Sequence, residues 1–84
     1  MHYIYIVKCS DGSLYTGYTT DLDRRMKEHN SNTGAKYTRG RTPVSLMYYE
    51  EFNSRSEATK RESNIKKLKR EEKVSLINAD KNKI

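Results

Sequence analysis

The sequence predicts a single α+β domain with its elements in the order β-β-α-β-α-α. Three observations carry that expectation. Two strand-like runs flank an Asp11-Gly12 turn, Ser54-Arg55-Ser56-Glu57 forms a capping box, and 84 residues suffice for one small domain. The domain is expected to span residues 1–77, with 78–84 as a frayed tail.

Composition narrows the function classes. Only 33% of residues are hydrophobic and 33% are charged, so the core must be thin. Seven Tyr and one Phe supply most of the large apolar area. Lys and Arg total 17 against 11 Asp and Glu, a net charge of +6 that points toward nucleic acid or another polyanion. A lone Cys9 excludes an internal disulfide, suits a reducing compartment and reads as a buried strand residue. No apolar run approaches the roughly 18 residues of a membrane span, and nothing resembles a signal peptide. The expected location is the cytoplasm, with no membrane contact.

Residues 2–9 are dense in β-branched and aromatic side chains, and Leu14 to Thr19 returns as an antiparallel partner. Gly17 inside that second strand marks either a bulge or a place where something approaches the backbone closely. If Tyr5 and Tyr15 serve one site they must share a sheet face. That requires an odd-length hairpin loop or a bulge, because side chains alternate along a strand.

Asp21 is the expected N-cap of a helix running to about Asn30, with Asp23 suited to its dipole. Leu22, Arg25, Met26 and His29 share one stripe of that helix. Polar groups turned inward must be paired, open to a cleft, or snorkelling at the rim. Residues 30–43 hold three cations, two glycines, a proline and no acid, and read as a long loop. Lys36, Arg39 and Arg41, with Tyr37 among them, suit phosphate contacts plus one stacking ring, or else a solvated basic surface.

Val44 to Phe52 is the third strand, with Leu46, Tyr48 and Glu50 expected on one face and Met47, Tyr49 and Glu51 on the other. The second helix should run from the capping box to about Leu68, with Ala58, Ile65 and Leu68 facing inward. Glu62 falls on that stripe and needs a cation such as Arg25, a metal ion, or a salt bridge at the stripe's edge. Residues 70–77 are expected to form a short last helix.

Tyr3-Ile4-Tyr5 and Tyr15-Thr16-Gly17, followed by Arg24-Arg25, His29-Asn30, the Gly34 to Arg41 loop and Glu62, together resemble the GIY-YIG nuclease superfamily, in particular its small stand-alone bacterial members. The likeness covers residues 3 to about 69. It implies a three-stranded antiparallel sheet flanked by helices and a divalent-metal-dependent DNA endonuclease. It also implies roles: Tyr5 and Tyr15 position or deprotonate the attacking water, His29 lies near the nucleophile, Arg25 holds the scissile phosphate, and Glu62 binds one Mg²⁺ or Mn²⁺. Tyr3 replaces the first motif's glycine, Thr16 the second motif's isoleucine, and Tyr18 stands where several active members carry lysine. The competing expectation is a nucleic-acid-binding module on the same scaffold without turnover. A basic interaction domain is a third, and it would leave the inward Arg25 and Glu62 unexplained. DNA is the expected partner in either of the first two, and a protein partner could supply specificity.

Overall fold

The computed structural model describes residues 1–79. Its elements are β1 (His2–Lys8), β2 (Leu14–Thr19), α1 (Leu22–Asn30), a 3-10 turn (Lys36–Thr38), β3 (Ser45–Phe52), α2 (Arg55–Lys66) and α3 (Arg70–Ala79). The strands form one antiparallel sheet in the order β2-β1-β3, so the expected three-stranded α+β architecture is the one observed.

β1 is the central strand, and its run of Ile4, Tyr5, Ile6 and Val7 is fully buried because both of its faces are covered. Ile4 and Ile6 pack with Tyr48 against Ala58 and Ile65 of α2, and Leu76 and Ile77 of α3 close that layer. Tyr5, Val7 and Cys9 lie on the opposite face with Val44, where Leu22 and Met26 of α1 cover them. Each layer is thin, as the composition requires.

The hairpin has a three-residue loop. Cys9 and Ser13 pair at its base (N–O 2.8 Å), the Gly12 amide bonds to the Cys9 carbonyl at 2.9 Å, and Gly12 takes a φ of +85°. With this odd loop Tyr5 pairs with Gly17 and Val7 with Tyr15, which puts both phenols on one face. The β1–β2 ladder runs without a shift through Gly17, so that glycine is not a bulge.

The bulge occurs instead on β3. Ile6 pairs with Tyr48 but Val7 with Leu46, leaving Met47 as the extra residue. This overturns the expected face assignment: Leu46 packs in the Tyr5 layer with Tyr49, whereas Tyr48 packs in the Ile4 layer. Uninterrupted alternation would have kept Leu46 and Tyr48 together, and one inserted residue separates them.

Helix ends also differ from expectation. α2 stops at Lys66, because the Lys67 and Leu68 amides bond three residues back, to Asn64 and Ile65, and tighten the final turn. Leu68 still packs on the core. Asn78 and Ala79, expected to begin a frayed tail, continue α3, and the remainder of that tail lies outside the described residues. Among the described residues no helix is long and apolar enough to cross a membrane.

The basic loop is structured. Asn30 brackets its ends, accepting from the Val44 amide (2.7 Å) and donating to the Val44 carbonyl (3.3 Å). The Ser10 amide bonds to the Arg41 carbonyl (2.8 Å) and ties the loop to the hairpin turn. At its start Asn32 takes a φ of +62° after α1, where the Asn32 and Thr33 amides bond back to His29 and Glu28.

Candidate active site

Tyr5 stands at the middle of the central strand, and the groups around its hydroxyl come from separate elements. α1 starts where Asp21 accepts from the Arg24 amide (3.1 Å), and from there the helical repeat sets Arg25 and His29 on one side, four residues apart. Arg25 Nε donates to the Tyr5 hydroxyl at 3.2 Å, and its Nη1 binds Glu28 Oε1 at 3.0 Å. Thus Arg25 is partly buried and paired, with a phenol on one side and a carboxylate on the other.

His29 Nε2 lies 2.8 Å from the same Tyr5 hydroxyl, and His29 Nδ1 lies 2.7 Å from Thr38 Oγ1. Tyr5, His29 and Thr38 are all fully buried. Such a cluster is tolerated because each polar atom has a partner, whereas an unpaired one would cost about 1–3 kcal/mol. The Tyr15 ring packs edge-on against His29 with centroids 5.7 Å apart and lies 6.5 Å from Tyr5.

Burial sets the protonation states. It pushes the Tyr5 phenol up to about 12, against the smaller opposing pull of Arg25. It also pushes His29 below its ordinary value, helped by the Arg25 charge and opposed by Glu28. At neutral pH the pair is therefore a neutral phenol beside a neutral imidazole.

Two glycines make the room. A Cβ on Gly17 would fall 2.5 Å from Tyr5 Cζ and collide with the hydroxyl, so the close-approach reading of Gly17 is the one observed. A Cβ on Gly34 would fall 2.6 Å from His29 Nδ1. Each ring lies where its glycine neighbour lacks a side chain.

Glu62 lies within electrostatic reach of Tyr5, where its charge adds a small upward push on the phenol. Its salt-bridge partner is Lys66, one turn along α2, at 3.0 Å. The option of an Arg25–Glu62 pair is corrected by this geometry, since Arg25 is bound to Glu28.

The loop residues divide. Lys36 and Arg39 are exposed, and among the described residues neither enters a salt bridge. Tyr37 is 42% exposed and stacks on Tyr15 at 5.7 Å and 19°. Arg41 is held in place: it binds Asp11 at 3.1 Å, donates to the Tyr37 carbonyl at 2.7 Å and covers the Tyr37 ring at 4.5 Å. It joins the loop to the hairpin as well as carrying charge.

Sequence reasoning missed Thr38, Gly34, Glu28 and Asp11. For Glu28 the signal was its place one turn after Arg25. For Thr38 there was none, because only the docked loop brings it under His29.

A family model described as the GIY-YIG catalytic domain matches residues 1–75. The chain is 59% identical over 77 residues to a UPF0213 protein of Halobacterium salinarum, covering 92% of this chain and all of that one. It is 56% identical over 79 residues to a UPF0213 protein of Clostridium perfringens, covering 94% of this chain and 85% of the relative. The solution NMR structure of a UPF0213 protein from Bacillus halodurans is similar with a TM-score of 0.62 at 52% identity, over 94% of this chain and 84% of that one.

Proposed function

The chain belongs to the GIY-YIG family of nuclease domains, and from that premise we propose that it is a divalent-metal-dependent endonuclease hydrolysing DNA phosphodiester bonds, on branched, nicked or single-stranded DNA, in the cytoplasm. The observation that carries this reading is the Tyr5 hydroxyl, held between the His29 imidazole and the Arg25 guanidinium.

Hydrolysis of a phosphodiester requires a deprotonated water in line with phosphorus and compensation of charge on the non-bridging oxygens. The Tyr5–His29 pair supplies the proton acceptor. A phenol raised to about 12 does not ionise alone at neutral pH, so the neutral imidazole beside it is the pair's base. Arg25 holds the scissile phosphate with the guanidinium hydrogens left over from Tyr5 and Glu28. Tyr15 walls the imidazole and helps seat the water.

Among the described residues no three His, Cys, Asp or Glu side chains cluster as metal ligands. A single carboxylate nevertheless fits Mg²⁺ or Mn²⁺, because such ions keep several waters and bind through one or two carboxylates plus substrate phosphate. Glu62 is the residue to hold one ion, releasing Lys66 as it does so. The ion, when bound, supplies charge for the phosphate oxygens. Lys36, Tyr37, Arg39 and Arg41 form the nucleic-acid-binding edge, and a protein partner would supply specificity.

The alternative is a binding module without turnover, and one observation favours it. Tyr18 pairs with Ile4, faces the opposite side of the sheet from Tyr5, and bonds to His2 Nδ1 at 2.7 Å, so it brings no group to the site. Incubation with labelled flap, nicked, single-stranded and plasmid DNA in Mg²⁺, Mn²⁺ or EDTA separates the two. Metal-dependent cleavage of any substrate supports the nuclease; binding without cleavage supports the module.

A further inference from the structure

The cluster around His29 contains more information than its distances, because each group has a fixed number of protons to place. Arg25 can only donate, so the Tyr5 oxygen accepts from Arg25 Nε. The buried Tyr5 O–H then needs an acceptor, and among its described partners His29 Nε2 is the one able to accept. His29 Nε2 must therefore be bare, which puts the imidazole proton on Nδ1. Thr38 agrees: its single O–H donates to the Ala35 carbonyl at 2.9 Å, leaving its oxygen to accept from His29 Nδ1–H at 2.7 Å. The opposite tautomer would leave the Tyr5 proton without a partner in a buried site and forfeit the Thr38–Ala35 bond. Only one arrangement satisfies all four contacts.

We infer that Thr38 is a positioning residue that fixes the Nδ1–H tautomer of His29, and that Gly34 keeps clear the space in which this imidazole sits. The result is a relay in which Tyr5 donates to His29 in the resting state. This rests on the nuclease reading above for its catalytic meaning, but its chemistry can be read without DNA. In turnover, once bound substrate has brought a water to the Tyr5 oxygen, an O–H bond of that water breaks and its proton passes to the Tyr5 oxygen as the Tyr5 proton moves to His29 Nε2. The hydroxide so formed attacks phosphorus, the bond to the leaving oxygen breaks with its electron pair, and that oxygen takes a proton from solvent. The imidazolium, still bonded through Nδ1–H to Thr38, returns its proton through Tyr5 to water. With the other tautomer Nε2 would be blocked, and the first step would have no acceptor.

The test is nitrogen NMR of the imidazole in three forms of the full chain: wild type, Thr38→Ser and Thr38→Val. Expected at neutral pH is a pyrrole-like Nδ1 and a pyridine-like Nε2 on His29 in the wild type and in Thr38→Ser, with Thr38→Val admitting a share of the reversed tautomer, because Tyr5 alone then holds the proton on Nδ1. A wild type already protonated on Nε2 overturns the inference, as does a Thr38→Val variant that keeps the wild-type pattern. The wild-type measurement decides even if Thr38→Val does not fold. In the cleavage assay Thr38→Val should lose kcat by about 10²-fold or more with DNA affinity unchanged, and Thr38→Ser should recover it. Cleavage by Thr38→Val at the wild-type rate also overturns the relay. A wild type inert on every DNA while showing the expected tautomer would instead remove the nuclease reading and leave the assignment of Thr38 standing.

Discussion

Tyr5 and Gly17 face each other across the β1–β2 ladder, and the Tyr5 phenol occupies the space that any side chain at position 17 would need. The glycine is thus a steric condition for the position of the phenol. Replacing it by alanine forces a methyl group into a filled interior, which typically costs about 1–3 kcal/mol. Gly17→Ala should lower the free energy of unfolding by that amount and abolish cleavage. Retention of both would mean that the ring can shift without consequence.

Protonation of His29 should set the acid limit of the protein. Its pKa in the fold lies below the ordinary 6.5, first through burial and then through Arg25, with Glu28 opposing; Tyr5, Tyr15 and Thr38 also pack against it. For a depressed value the unfolded chain binds the proton more readily. The stability contribution is therefore complete above 6.5 and is lost as pH falls from there through the folded value. Urea titrations across this range should show wild-type stability declining, with a flatter profile for His29→Gln. Cleavage should fall over the same acid window.

The exposed loop cations should contribute affinity without selectivity. Lys36→Ala with Arg39→Ala should weaken binding to all DNA sequences alike. For duplex DNA the slope of log K against log salt should fall by roughly 2, one counterion contact for each residue. Arg41→Ala should differ by lowering stability as well, because it removes the Asp11 pair and the Tyr37 carbonyl bond. A salt titration with an unchanged slope in the double variant would reduce Lys36 and Arg39 to solvated surface.

Glu62→Gln should separate metal binding from folding. Its pair with Lys66 is half open to water on the lysine side, and such pairs contribute about 0–1 kcal/mol. The melting temperature should thus barely move, while Mg²⁺-dependent cleavage disappears and DNA binding persists. Full activity in this variant would remove Glu62 from the site.

How much of this was readable from the sequence depends on how locally each feature is determined. Asp11-Gly12, Asp21 and the Ser54–Glu57 box are local signals, and they located the turn and the starts of α1 and α2. Arg25 and His29 shared a stripe by helical repeat alone. The pairing of Glu62 with Lys66 is equally local, an i,i+4 form of the salt bridge expected at the stripe's edge. By contrast, the Met47 bulge depends on how β3 docks against β1, and alternation alone does not reveal it. Thr38 reaches His29 only because Asn30 and Ser10 fasten a distant loop, a tertiary arrangement with no short-range pattern.

The fastening of that loop by Asn30, Asp11 and Arg41 also bears on how the protein would associate with DNA. A segment of 14 residues that became ordered only on binding would carry a large entropic penalty and a marked heat-capacity change. Here the ordering accompanies folding, so the cationic edge meets its ligand already shaped. Association should then proceed close to the diffusive, charge-steered regime, with differences between substrates expressed in how slowly each one leaves.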